Sequence, residues 1–149
     1  MKRRVPQPLV IALIALGFLL AGLGGWFLVI GPQRSKASSL DHQIADTNDE
    51  RALGLMGRTS LPEDAGMIFV YPEPTEGGYW MKNTLIPLSI AFYDVDGTIL
   101  RILDMEPCRS DPCRVYDPGV RYAGALEVNQ GAFERWGVDE GDRLELRES

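Results

Sequence analysis

The chain has 149 residues, 45% of them hydrophobic and 24% charged, with no repeat or low-complexity tract, so one domain is expected beyond any targeting segment. All 21 acidic residues lie at or after Asp41 together with ten of the 15 basic ones, which leaves residues 41 to 149 with a formal charge of −11. A field of that sign repels phosphate backbones and anionic headgroups, and so argues against nucleic-acid binding and against adsorption to an acidic bilayer.

Residues 1–8 carry Lys2, Arg3 and Arg4, and residues 9–30, LVIALIALGFLLAGLGGWFLVI, hold no charged side chain. At helical rise such a stretch spans the roughly 30 Å hydrocarbon core, and lipid demands a helix because it cannot satisfy an open backbone. The basic residues ahead of the stretch predict a cytoplasmic N-terminus and a domain outside the cytoplasm. A cleaved signal peptide is the rival reading, but its apolar region is normally only about 7–15 residues, and the one tolerable site, Ser35-Lys36-Ala37, lies late. The expected organisation is a basic cytoplasmic segment (1–8), a signal-anchor helix (9–30), a linker (31–40) of polar and small residues, and an extracytoplasmic domain (41–149). Gly17, Ala21 and Gly25 form a weak small-residue stripe on the anchor.

Within the domain, Thr47-Asn48-Asp49-Glu50 fits a capping box. Ala52, Leu53, Leu55 and Met56 then supply a helical apolar face, predicted to stop at Gly57. Ser60-Leu61-Pro62-Glu63 reads as a second, very short helical entry. Strands follow over Met67 to Tyr71, Tyr79 to Lys82 and Leu88 to Val95, the last with Leu88, Ile90 and Phe92 alternating toward one face. Asp96-Gly97 predicts a two-residue type I′ hairpin leading into a strand over Thr98 to Met105.

Cys108 and Cys113, the only cysteines, lie in a stretch broken by Pro107, Pro112 and Pro118. In an oxidising compartment a short-loop disulfide between them is the expected outcome, since two thiols are only half a zinc site and no helix is signalled to activate them. Tyr122 to Val128 reads as a strand, Asn129 as the cap of a helix carrying Ala132, Phe133 and Trp136 and ending at Gly137, and Asp142 to Arg147 as a final strand. The fold class expected is α+β: a mostly antiparallel sheet or small, partly closed barrel of about six strands, with two or three short flanking helices.

The most distinctive run is Gly78 to Leu88, GYWMKNTLIPL, whose period of two places Trp80 and Lys82 on one face and Tyr79, Met81 and Asn83 on the other. With GLMGR at 54 to 58, GMIFVY at 66 to 71, Leu126-Glu127, Asn129 to Ala132 and the closing Gly-Val-x-x-Gly-Asp at 137 to 142, it resembles the domain of unknown function 192 family over about residues 45 to 147. That resemblance implies one compact α+β domain, often exported, and no activity. Ser89 stands where the family commonly has Asp, so a mechanism resting on a carboxylate there lacks it. The cysteine loop resembles one found in a subset of the family.

Five residues are candidate ligand contacts. Trp80 is either a packed aromatic or a stacking platform for a sugar ring. Lys82 is either an ion-paired lysine or a fixed cation, and Arg58 either satisfies helix carbonyls or joins Lys82 in an anion pocket. Asn83 is expected to bond backbone in a turn. Glu127, on an apolar strand, calls for an ion pair with Arg58 or Lys82, or else is a general acid or base with a raised pKa. The methionines at 56, 67, 81 and 105 are expected to pack in the core rather than bind soft metal. His42 is the sole histidine, which removes a Ser-His-Asp triad or a multi-histidine metal site, and no cofactor or metal is expected.

Three functions compete on this reading. An envelope module binding a small anionic or carbohydrate ligand comes first. An enzyme using Glu127 or an aspartate comes second, with two carboxyl groups facing one cleft as its minimum. A scaffold or assembly partner comes third.

Overall fold

The structure, a computed structural model, describes residues 41–145. The proposed basic segment, the anchor with its small-residue stripe, and the linker lie outside these residues. Among the described residues no helix is long and apolar enough to cross a membrane.

Among the described residues, seven strands and two short helices occur in the order β1 (Asp41–Ala45), α1 (Asn48–Leu53), β2 (Ala65–Thr75), β3 (Tyr79–Trp80), β4 (Leu88–Tyr93), β5 (Ile99–Met105), β6 (Val115–Tyr116), β7 (Tyr122–Asn129) and α2 (Ala132–Trp136). Five strands form an open sheet in the order β1-β2-β7-β4-β5, and β3 pairs with β6 in a separate two-stranded sheet. β1 runs parallel to β2 and every other pairing is antiparallel, so the sheet is mostly antiparallel and does not close into a barrel.

Alternation along the central strand β7 sends Ala125 to one face and Leu126 and Val128 to the other, and each face has its own core. On the first face Phe69, Met81, Leu88, Ile90, Phe92, Met105 and Tyr122 pack together. The second face packs Ile68, Ala91, Leu126 and Val128 against Ala132 and Phe133 of α2. Met67, Met81 and Met105 are buried among these apolar side chains, as core packing requires.

Local signals were accurate where the partner lies nearby in sequence. The capping box forms, with Thr47 Oγ1 accepting from the Glu50 N–H at 3.3 Å while Glu50 Oε2 accepts from the Thr47 N–H at 3.1 Å. The helix it opens stops at Gly54 rather than Gly57, and its apolar face is not buried; Leu55, just beyond it, is the residue that enters the core. Residues 60–63 make no helix: a turn closes there with the Ala65 N–H donating to the Pro62 carbonyl at 3.1 Å.

The β4–β5 turn is not type I′. Gly97 has φ 82° and Asp96 is not left-handed, because Asp94 Oδ1 accepts from the Asp96 and Thr98 N–H groups at 2.9 Å and holds a longer loop. Asn129 does not cap α2. Its amide donates to the Leu61 and Pro62 carbonyls, and the N-cap is Gly131, whose N–H is accepted by Ser89 Oγ at 2.9 Å. The expected final strand reduces, within the described residues, to an isolated bridge between Thr98 and Arg143.

Gly124, opposite Tyr93 on β4 and Val70 on β2, is a site of close approach. A Cβ there would clash with the Tyr93 hydroxyl and lie 2.6 Å from the Phe69 carbonyl oxygen. The Gly124→Ala protein is therefore expected to lose about 1–3 kcal/mol in urea unfolding, the usual cost of an added methyl group in a packed core.

Candidate functional site

On the first face of the sheet, a cavity of about 130 Å³ opens between α1, β2, β3 and the loop that carries Thr84. Its floor is Glu127 of β7, set by register opposite Met67 of β2 and Ile90 of β4. Phe69 and Tyr71 reach it from β2, Tyr79 and Trp80 from β3, and Arg51 and Leu55 line the side formed by α1 and the residues after it.

Glu127 is the unusual group. Its side chain is 5% exposed, and no hydrogen bond or ion pair joins its carboxyl to any described residue. Its oxygens nevertheless keep some accessible surface, since no fully enclosed side-chain oxygen or nitrogen lacks a partner among the described residues. They are therefore open to the cavity. Burial pushes the carboxyl up to about 8, so that it holds its proton at neutral pH. The expected ion pair with Arg58 or Lys82 does not form. Lys82 Nζ lies 2.7 Å from Asp111 Oδ2, and Arg58 donates to Gln43 Oε1, so tertiary partners remote in sequence have claimed both cations.

The other polar groups of the cavity are held in place. The Tyr71 and Tyr79 hydroxyls lie 2.8 Å apart, and burial first, then this contact, pushes the Tyr79 phenol up. Thr84, 5% exposed, donates from Oγ1 to the Lys82 carbonyl at 3.5 Å. Arg51 donates to the Asp46 and Val70 carbonyls and to Asn48 Oδ1, with its guanidinium 5.0 Å from the centre of the Tyr71 ring.

Of the residues singled out in the sequence, the fold brings Trp80 and Glu127 to this cavity and leaves Lys82, Asn83 and Arg58 off its lining. Trp80 is 52% exposed and has Lys82 Nζ 5.4 Å from its ring centre, so the two share a face as the strand period predicts. Asn83 is exposed and left-handed, with φ 56°. Its backbone is what bonds, the N–H to the Cys108 carbonyl and the carbonyl to the Gly57 N–H, both at 2.9 Å. Sequence reading missed Tyr71, Tyr79 and Arg51 as site residues. The alternation that separates Tyr79 from Trp80 was visible, but nothing local said which face is buried or linked Tyr79 to Glu127, 48 positions on.

Cys108 and Cys113 form the expected disulfide, with S–S 2.07 Å. The loop it closes sits against the distinctive run. Cys108 bonds through its backbone to Met81 and Asn83, and Asp111 reaches Lys82. Ser89 faces α2 rather than the cavity, and its hydroxyl donates to Asp104 on the neighbouring strand. A carboxylate therefore stands beside Ser89, but on the opposite side of the sheet from Glu127.

The family model for DUF192, "Uncharacterized ACR", matches residues 30–146. Two crystal structures are similar. One is a candidate transcription regulator from Sinorhizobium meliloti 1021, 38% identical, with 71% of this chain and 81% of that chain covered and a TM-score of 0.67. The other is a protein of unknown function from Novosphingobium aromaticivorans DSM 12444, 33% identical, covering 72% of this chain and 75% of that one, with a TM-score of 0.64. No curated protein matches the chain.

Proposed function

The chain belongs to the DUF192 family, whose description assigns no activity, and from that premise we propose that it is a membrane-anchored binding module of the cell envelope that captures one small, hydroxyl-bearing group such as a monosaccharide. The observation that carries the proposal is the unpartnered Glu127 carboxyl at the floor of a cavity with an exposed Trp80 at its mouth. A concave site where aromatic side chains and a few polar groups converge is the usual make-up of a small-ligand site. Its volume is close to that of a cavity that admits one ring, which suits the end of a ligand and not an extended chain.

Export is supported by the charge-free stretch 9–30 and by the disulfide, a bond that persists in oxidising compartments. The anionic-ligand reading has less behind it, because Lys82 and Arg58 are engaged elsewhere and the cavity floor is itself acidic. An enzyme of the paired-carboxylate type lacks its second group, since Glu127 is the one carboxyl lining the cavity among the described residues. A role in transcription, the description given to the Sinorhizobium relative, sits poorly with a domain charge of −11.

A thermal-shift screen of the purified full chain against monosaccharides tests the proposal. A sugar at ~100 times its Kd should stabilise the fold by about 2.7 kcal/mol. The shift should vanish in Trp80→Ala, which keeps a near-native Tm because Trp80 is half exposed. Silence across the panel, or a shift that survives Trp80→Ala, would overturn the proposal.

A further inference from the structure

A hydrogen-bond census of the cavity is lopsided. Arg51 gives Nη1 to two carbonyls and one Nη2 hydrogen to Asn48, and the Thr84 hydroxyl proton goes to the Lys82 carbonyl. Between Tyr71 and Tyr79 one hydroxyl proton is consumed by the other oxygen. Once Glu127 gives up its proton, the acceptor capacity left is its two oxygens and the lone pairs of the tyrosine and threonine hydroxyls. With its carboxylate ionised, the site offers a donating ligand acceptors that no described residue fills.

Charge points the same way. A buried carboxyl without a partner is stabilised most by a cation, and the domain's charge of −11 concentrates cations around it. Two ring faces at the rim already tolerate cations, Lys82 at 5.4 Å from Trp80 and Arg51 at 5.0 Å from Tyr71. We infer that the cavity seats an ammonium group on Glu127, carried by a free primary amine or by an amino sugar. This rests on the reading of the cavity as a ligand site and names the charge of what fills it.

The charged and titratable groups facing Glu127 are Arg51 from α1, Tyr71 from β2 and Tyr79 from β3; its register neighbours Met67 and Ile90 are apolar. Burial alone accounts for the raised Glu127 carboxyl, and the hydrogen bonds of Arg51 go to the Asp46 and Val70 carbonyls and to Asn48 rather than to Glu127. An ammonium replaces the proton that burial keeps on Glu127. Binding therefore releases that proton, whereas a neutral acceptor ligand would require the carboxyl to retain it.

The test is calorimetric titration of the full chain in detergent micelles with ethanolamine and with ethylene glycol, which differ only in NH₃⁺ against OH. Ethanolamine should bind at least about tenfold tighter at neutral pH, with an affinity that rises about tenfold per pH unit well below the Glu127 value and levels off as pH passes it. The preference should disappear in Glu127→Gln, and the pH profile of the unaltered chain serves as a readout that needs no variant. Glucosamine binding more tightly than ethanolamine would identify an amino sugar as the source of the ammonium, and the reverse a free amine. Equal affinities for ethanolamine and ethylene glycol, or an affinity that falls with pH, would overturn the inference while leaving the cavity a site for neutral ligands. If neither pair of probes, ethanolamine with ethylene glycol or glucosamine with glucose, bound at all, the cavity reading would fail with it.

Discussion

The Glu127→Gln protein should unfold at a markedly higher temperature than the unaltered chain at pH 7, and at nearly the same temperature at pH 4. The sign follows from the direction in which burial moves the carboxyl. In the unfolded chain it titrates near 4.5, and in the fold burial raises it to about 8. Below 4.5 both states hold the proton and Glu127 costs nothing; as pH rises toward 8 the unfolded chain releases its proton first, and the fold loses stability over that window. Each step of one pH within the window removes about 1.4 kcal/mol, so at neutral pH the loss is on the order of 3 kcal/mol. Gln has nearly the same shape and no proton to release. In a domain of this size the difference corresponds to roughly 10 °C or more in Tm. Melting curves recorded at closely spaced pH values between those limits check it, and parallel pH profiles for the two proteins would show that Glu127 finds a partner in solution. Retention of so costly a group at the floor of a cavity is what a site under functional demand would display.

A second large effect is expected at Phe92, which is fully buried and sits among the aromatic side chains of the first face. Its ring centroid lies 4.8 Å from that of Tyr122 and 5.6 Å from that of Tyr79, both edge-on. Phe92→Ala removes a side chain from a strand paired on both edges, where the backbone cannot close the void. The loss should be about 3–5 kcal/mol in denaturant unfolding. Tyr79 lines the cavity as well as contacting Phe92, so the substitution should also loosen the ligand site. Phe92→Leu, which refills most of the volume, should recover more than half of the loss, and a cost below about 1 kcal/mol for Phe92→Ala would show the first-face core to be far more compliant than its packing implies.

Much of the fold was legible along the chain because its signals are short-range. Alternating Leu88, Ile90 and Phe92 mark β4, the Thr47–Glu50 pair starts α1, and Gly137, left-handed at φ 61°, ends α2. The expectations that failed depended on which other group, near or distant, would compete. Asn129 looks like a cap until Ser89 Oγ takes the Gly131 N–H and the Leu61 and Pro62 carbonyls take the Asn129 amide. Asp96-Gly97 looks like a type I′ turn until the Asp94 carboxylate binds two of the loop's N–H groups.

The candidate site divides in the same way. Composition and local pattern by themselves determined an acidic domain with two cysteines spaced to close a loop, a charge-free stretch ahead of it, a strand period that puts Tyr79 and Trp80 on opposite faces, and the motifs of the family to which the chain belongs. Tertiary structure alone decided that Lys82 would meet Asp111, that Arg58 would meet Gln43, and that Glu127 would meet no partner among the described residues. The reason is physical: periodicity chooses the face on which a side chain emerges, but the partner that face meets depends on strand order and register, and those are set by contacts between residues far apart in the chain.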